Sequence, residues 1–236
     1  VISAIKQCKN LRLGKQVHHS INQLKICSTN IHNHLIDMYA VCGDVDSAIT
    51  TFQQAKNSKQ TDVNSWTKVI KATSRKNPQQ AIRFYNQMIQ EGFDPNESTY
   101  VAALMAASLS NYLNTGKQIH QRMRNENAEL SPIIQTQLMN LYGSCGDMDT
   151  TLKIFEQLKE EDQLDSVSWS LAIKHLAKHR ITLTIPYFRS MEDSGFQPIV
   201  QTYSSVFSAL ITSGSYELGA VMHEKMQQSL IASLQS

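Results

Sequence analysis

The chain has 236 residues, 41% of them apolar and 18% charged, with 22 Lys and Arg against 20 Asp and Glu for a net charge of +2. An apolar share of that size with so little net charge excludes a disordered chain, and only 9 Gly and 5 Pro exclude collagen-like sequence and favour helix, since turns tend to use one of those two breakers. The charge argues for no partner unless its placement does, and the longest mostly apolar stretch, 100–109, is far short of the roughly 20 residues of a membrane span, so no membrane insertion is expected.

The four cysteines, Cys8, Cys27, Cys42 and Cys145, are scattered without a CxxC pair, which predicts reduced thiols rather than a disulfide framework or structural zinc. The chain opens on Val1 inside an apolar helical pattern with no initiator Met or targeting segment, and so reads as a piece of something longer.

A repeat organises everything else. Cys42-Gly43-Asp44 recurs as Cys145-Gly146-Asp147, Phe52 as Phe155, Trp66 as Trp169, Gly92-Phe93 with Pro95 as Gly195-Phe196 with Pro198, and Tyr100 as Tyr203, each pair 103 residues apart. Within that period Ser65-Trp66, Thr99-Tyr100, Ser168-Trp169 and Thr202-Tyr203 mark unit starts about 34 residues apart. A fixed period of this length is the signature of a solenoid, in which each unit buries its apolar face against its neighbours.

In chain order, a partial unit over 1–28 carries GKQVH at 14–18, which returns as GKQIH at 116–120. Units of two helices follow over 29–62, 63–96, 97–131, 132–165 and 166–199, with a last one from 200 to 236. In the first full unit Gly43 makes the turn, Asp44 caps the second helix, and Val45, Ala48, Ile49 and Phe52 form its buried stripe. In the unit from 63, Trp66, Val69, Ile70 and Thr73 fall at i, i+3, i+4 and i+7, while Ala81, Ile82, Tyr85, Met88 and Ile89 line a second stripe. Asn77 is placed to cap that second helix with Pro78 in its first turn, and Gly92 to end it before Pro95. Gly146 and Asp147 repeat the turn and cap one long period later. The fold class is all-α, an alpha-solenoid of about seven helix-turn-helix repeats.

The tetratricopeptide pattern W-x2-L-G-x2-Y followed by A-x3-F is missing. GKQVH and GKQIH, NHLIDMYAVCGDVDSAITTF at 33–52, DVNSWTKVI at 62–70 and MIQEGFDPNESTY at 88–100 instead resemble the pentatricopeptide repeat family, specifically its subclass that cycles through three unit variants of unequal length. The resemblance covers essentially the whole chain. It implies a right-handed superhelix, a monomer, that binds single-stranded RNA with one base per unit.

In that family the base is chosen mainly by the fifth residue of a unit together with its last. The pairs here are Asn33 with Asp62, Thr67 with Asn96, Val101 with Ser131, Thr136 with Asp165, and Ser170 with Ile199, and Ser204 is the fifth residue of the last unit. The family's code implies U, A and G for the first, second and fourth pairs, hence U-A-n-G from the RNA 5′ side, and leaves the third and fifth undefined. An Asp carboxylate only accepts and suits the ring N–H of guanine or uracil, whereas an Asn amide also donates. The second residues, which the family uses to sandwich the base and where it prefers apolar side chains, are Asn30, Asn64, Ser98, Ile133, Val167 and Gln201, of which only two fit. Lys71 with Arg75, and Lys174 with Lys178 one long period later, are placed at i, i+4 to follow a phosphate backbone and would make binding salt-dependent.

Other readings of the same residues are weaker. Trp66, Trp169, Tyr100 and Tyr203 sit on apolar stripes and are expected to pack in the core, not to stack on bases. His18, His120 and His223 recur too far apart to share a metal, and His175 with His179, though at i, i+4, are flanked by Lys174 and Lys178, which would repel a cation. Cys42 and Cys145 close first helices where a small buried side chain is expected, not a nucleophile. No HExxH, GxSxG, P-loop or dinucleotide fingerprint is present, and no catalytic, metal or cofactor site is expected. The same subclass often ends in a zinc deaminase that converts cytidine to uridine in organelle transcripts, but neither H-x-E nor P-C-x-x-C occurs here. The resemblance therefore implies a guide that specifies an RNA-processing or C-to-U editing site in a mitochondrion or plastid, with a deaminase acting in cis or in trans. A protein-binding helical scaffold of tetratricopeptide type is the alternative, and it would carry an apolar or charged groove where an RNA reader carries a polar row at unit junctions.

Overall fold

The computed structural model describes residues 5, 10–24, 26, 28–126 and 130–235, with side chains at 218, 225 and from 228 onward left aside; Cys8 and Cys27 lie outside the described residues. Thirteen helices, and no strand among the described residues, run in order: α1 (Leu11–Gln23), α2 (Thr29–Val41), α3 (Val45–Asn57), α4 (Val63–Ser74), α5 (Pro78–Gln90), α6 (Glu97–Leu109), α7 (Leu113–Asn125), α8 (Pro132–Ser144), α9 (Met148–Glu160), α10 (Ser166–His179), α11 (Ile181–Asp193), α12 (Val200–Thr212) and α13 (Tyr216–Gln235). They fall into two compact units, 1–128 and 129–236.

The caps sit where the sequence places them. Asp44, Asn77 and Asp147 each accept a backbone N–H three residues on, from Ser47, Gln80 and Thr150, and Pro78 occupies the first turn of α5. Gly43, Gly92 and Gly146 adopt φ of 77°, 79° and 85°, a left-handed conformation that closes a helix at no steric cost only for glycine. At the ends of α3 and α9 the equivalent positions Lys59 and Asp162 take φ of 54° and 52°.

In the first unit α2 packs on α3 and α4, and α4 on α5 and α6; in the second, α10 packs on α8, α11 and α12. A first helix of each pair thus has neighbours on several sides, whereas a second helix keeps one face in solvent. Trp66, Val69, Ile70 and Thr73 are all fully buried on α4, and α6 buries Ala102, Ala103, Ala106 and Ala107, whose small side chains let α4 and α5 approach. On α3 the covered face is rotated from the expected stripe: Ala48 and Phe52 are fully buried, but so are Thr51 and Ala55, while Val45 and Ile49 are only half-buried. Thr51 tolerates burial because its hydroxyl donates to the Ser47 carbonyl at 2.7 Å.

A close approach in the second unit holds a buried imidazole. The Cβ of any larger residue at Gly143 on α8 would collide with the ring of His175 on α10, which is 2% exposed and pairs through Nε2 with Asn140 Oδ1 at 3.1 Å. Burial, helped by the positive charges at Lys174, His179 and Lys178, pushes the His175 imidazole from 6.5 down to about 4. The folded state therefore resists a proton that the unfolded chain accepts below 6.5. Stability is fully present above that pH and is lost as pH falls towards 4, by on the order of 3 kcal/mol from this group. Denaturant titrations at a series of pH values should show this loss, and in His175→Gln it should shrink; an equal pH slope in both proteins would refute the assignment.

Candidate functional site

The last residue of one unit is also the residue that starts the first helix of the next. Asp62 caps α4, Asn96 caps α6, Ser131 caps α8 and Asp165 caps α10, each accepting a backbone N–H three residues on. Ile199 holds the same place before α12 without a side-chain cap. The backbone role shared by the four caps fixes where each of their side chains points.

The structure brings three of the expected pairs together to different degrees. Asn33, 6% exposed on α2, donates from Nδ2 to Asp62 Oδ1 at 3.2 Å. Thr67 Oγ1 lies 3.5 Å from Asn96 Oδ1, at the limit of a hydrogen bond, and donates more closely to the Val63 carbonyl at 2.8 Å. Thr136 reaches Asp165 through an intermediary: its Oγ1 is 3.3 Å from Ser168 Oγ, which donates to Asp165 Oδ1 at 2.7 Å. Ser170 has no polar partner at Ile199 and spends its hydroxyl on the Ser166 carbonyl at 2.5 Å. Val101 is half-buried on α6, and Ser204 is exposed on α12.

Burial pushes the Asp62 carboxyl up, but the Ser65 N–H, the Ser65 hydroxyl and the Asn33 amide outweigh it and hold Asp62 below the ordinary carboxylate range. The carboxylate is thus ionised and acceptor-only at neutral pH, with Oδ1 engaged and Oδ2 available to a donor.

The second residues stand in solvent. Ile133 is 59% and Val167 53% exposed, and Asn30, Asn64, Ser98 and Gln201 are exposed as well. Lys71, Lys174 and Lys178 are exposed on α4 and α10, Arg75 is exposed at the C-terminal cap of α4, one residue beyond the helix, and none of the four forms an ion pair among the described residues.

Trp66 and Trp169 are 0% and 2% exposed, and Tyr100 and Tyr203 are also buried. His18 bonds the Tyr39 hydroxyl at 2.9 Å and His120 is buried, whereas His223 is exposed beside Phe207. Cys42 and Cys145 are half-buried rather than buried, because each lies at the helix end where the chain turns; burial and the nearby Asp147 push the Cys145 thiol up, away from nucleophile chemistry. Among the described residues no three His, Cys, Asp or Glu side chains cluster to hold a metal, and no helix is long and apolar enough to cross a membrane.

Four buried side chains that the sequence shows only as markers of unit starts also sit at these junctions: Ser65, Thr99, Ser168 and Thr202. Their hydroxyls lie between the fifth residue of one unit and the start of the next.

Paired helices repeating every 34 or 35 residues, with a buried hydrogen bond at four of the junctions between pairs, define an alpha-solenoid repeat protein. Residues 31–59 and 136–162 match the PPR repeat family model. A pentatricopeptide repeat-containing protein of Arabidopsis thaliana is 27% identical over 224 residues, 94% of this chain and 29% of its own length. A second from the same plant, named chloroplastic, is 28% identical over 233 residues, 97% of this chain and 31% of its own. The structure of the pentatricopeptide repeat protein PPR10 in complex with an 18-nucleotide psaJ RNA element superposes with a TM-score of 0.79 at 19% identity, covering 93% of this chain and 32% of that one. That likeness is one of fold. Together the family-model and sequence matches support the pentatricopeptide repeat family for this chain, which spans about three-tenths of the length of those curated relatives.

Proposed function

We propose that the chain binds single-stranded RNA and reads one base per unit through the polar pairs at its junctions. The observation that carries the reading is the pairing of a fifth residue with the last residue of its own unit, most directly Asn33 Nδ2 on Asp62 Oδ1 at 3.2 Å. Such a pair offers a base edge one group that donates and one that accepts, held by a helix cap rather than by a mobile loop. Asn33 with Asp62 reads U, Thr67 with Asn96 reads A, and Thr136 with Asp165 reads G, while Val101 with Ser131, Ser170 with Ile199, and Ser204 impose no defined base. Ile133 and Val167 supply apolar faces to neighbouring bases; the polar residues at the other second positions forgo stacking worth about 1–3 kcal/mol per base. Lys71, Arg75, Lys174 and Lys178 follow the phosphates.

PPR10 is bound to RNA in a structure of the same fold, and one similar protein is named chloroplastic, which supports an RNA ligand and an organellar setting. Within the three-variant subclass that the motifs resemble, the array specifies an RNA-processing or C-to-U editing site in a mitochondrion or plastid, with the deaminase supplied in cis or in trans.

The test is binding to an RNA carrying U-A-n-G and to scrambled controls across a salt series. The U-A-n-G strand should bind more tightly at every salt concentration. If all four cations contact phosphate, log affinity should fall against log salt with a slope of about −3, at roughly 0.7 per phosphate for a single strand. Equal affinity for scrambled strands would sink base reading, and no binding at low salt would favour a protein-binding scaffold.

A further inference from the structure

At four junctions a single buried hydroxyl touches the fifth residue of the unit before it. Ser65, Thr99, Ser168 and Thr202 are the third residues of their units and at most 1% exposed. Ser65 Oγ lies 2.7 Å from Asn33 Oδ1, Thr99 Oγ1 2.7 Å from Thr67 Oγ1, Ser168 Oγ 3.3 Å from Thr136 Oγ1, and Thr202 Oγ1 2.7 Å from Ser170 Oγ. In three of the four the same oxygen also bonds the last residue of that unit: Asp62 Oδ1 at 2.8 Å, Asn96 Oδ1 at 2.9 Å and Asp165 Oδ1 at 2.7 Å. The fourth unit ends in Ile199 and offers no acceptor there.

A capping interaction alone does not account for this arrangement. Ser47 on α3 likewise donates its Oγ to the carboxylate of its cap, Asp44 Oδ2 at 2.9 Å, and among the described residues bonds no fifth residue, whereas Ser65 Oγ also accepts the Asp62 N–H at 3.2 Å in a reciprocal cap. The sequence also follows the fifth residue: where that position is polar (Asn33, Thr67, Thr136, Ser170) the third residue of the next unit carries a hydroxyl, and where it is Val101 the corresponding residue is Ile134.

A serine hydroxyl has one proton to give. At Ser65 the acceptors Asn33 Oδ1 and Asp62 Oδ1 compete for it, and giving it to Asn33 turns the Asn33 amide so that Nδ2 faces Asp62. At Thr67 and Thr99 two protons serve three bonds, to the Val63 carbonyl at 2.8 Å, between the two hydroxyls at 2.7 Å and to Asn96 Oδ1 at 2.9 Å, so the Thr99 hydroxyl ties the proton of Thr67 to the oxygen of Asn96. We infer that Ser65, Thr99 and Ser168 are positioning residues that set the orientation, and hence the donor and acceptor pattern, of the pair one unit back. The inference rests on the reading of those pairs as base readers.

Ser65→Ala, Ser65→Thr and Ser47→Ala test it in the full chain with two readouts: the preference for U over the other bases in the Asn33 register, and the side-chain amide NMR signals of Asn33 without RNA. Ser65→Ala should cut the preference severalfold and shift the Asn33 signals, Ser65→Thr should restore both, and Ser47→Ala should change neither. Thr99→Val, which removes a hydroxyl at nearly constant shape, should blunt the preference for A in the Thr67 register in the same way. An unchanged preference with unchanged Asn33 signals in Ser65→Ala, or an equal loss of affinity for all bases, overturns the positioning role. A native chain with no base preference in these registers would instead overturn base reading, and the Asn33 signals would still decide whether Ser65 orients the pair.

Discussion

Trp66→Ala should cost about 3–5 kcal/mol, the largest single loss expected anywhere in the first compact unit. The indole is fully buried and meets Phe52 of α3 edge-on with ring centroids 4.6 Å apart, Phe84 of α5 at 6.4 Å and Phe93 beyond α5 at 6.2 Å, with Lys56 Nζ 5.1 Å over the ring. It is therefore the point where three consecutive helices and the following turn share one cluster, and truncation leaves a cavity that aromatic neighbours cannot collapse to fill. Trp169 makes the equivalent cluster with Phe155 at 4.8 Å and Phe196 at 6.3 Å in the second unit. Because the chain has only 2 Trp, Trp66→Ala leaves Trp169 as the sole indole, and its fluorescence reports the second unit. Equilibrium unfolding followed by circular dichroism should show the full loss, with hydrogen exchange accelerated across α3 to α5; a loss below about 1 kcal/mol would contradict the packing.

Most of the fold was legible because its signals were local and repeated. Asn77 before Pro78, Asp44 and Asp147 after a glycine, and the glycines themselves each act within one turn of backbone, so their geometry follows from a few neighbouring residues. The covered face of α3 was less legible. Periodicity defines a face only to within about 100°, and which edge of it is buried depends on α2 and α4 together. That is why Val45 and Ile49 are half-buried while polar Thr51 is inside. The starts of α7 and α11 carried no signal of this kind, since Tyr112 and Arg180 provide no side-chain cap.

The site shows the same limit at longer range. The fifth and last residues could be named from the period alone, but what joins them could not. Ser65 and Thr99 were visible only as the hydroxyl before an aromatic residue that marks each unit start, because their partners Asn33 and Thr67 lie 32 residues away and meet them only when consecutive pairs of helices stack. The recurrence of Ser or Thr before Trp or Tyr was the available signal, and it reads as punctuation until the hydrogen bonds are seen.

Asp165→Asn is expected to change recognition with little change in stability. Asp165 Oδ1 accepts the Ser168 N–H at 2.7 Å and the Ser168 hydroxyl at 2.7 Å, and an Asn at this position keeps an oxygen for both, Asn being as good a helix cap as Asp. What changes is the outer atom, from a carboxylate oxygen that only accepts to an amide NH2 that donates. Guanine presents an N–H at ring position N1 and adenine a bare nitrogen, so the variant matches adenine where the native residue matches guanine. Leaving one such polar group unpaired costs about 1–3 kcal/mol, which is roughly tenfold or more in affinity.

Whether each unit reads its own base is decided by four affinities: the native chain and Asp165→Asn, each against U-A-n-G and U-A-n-A strands identical elsewhere. The native chain should prefer the strand ending in G and the variant the strand ending in A, with nearly equal melting temperatures. The same preference in both proteins would contradict base reading by each unit.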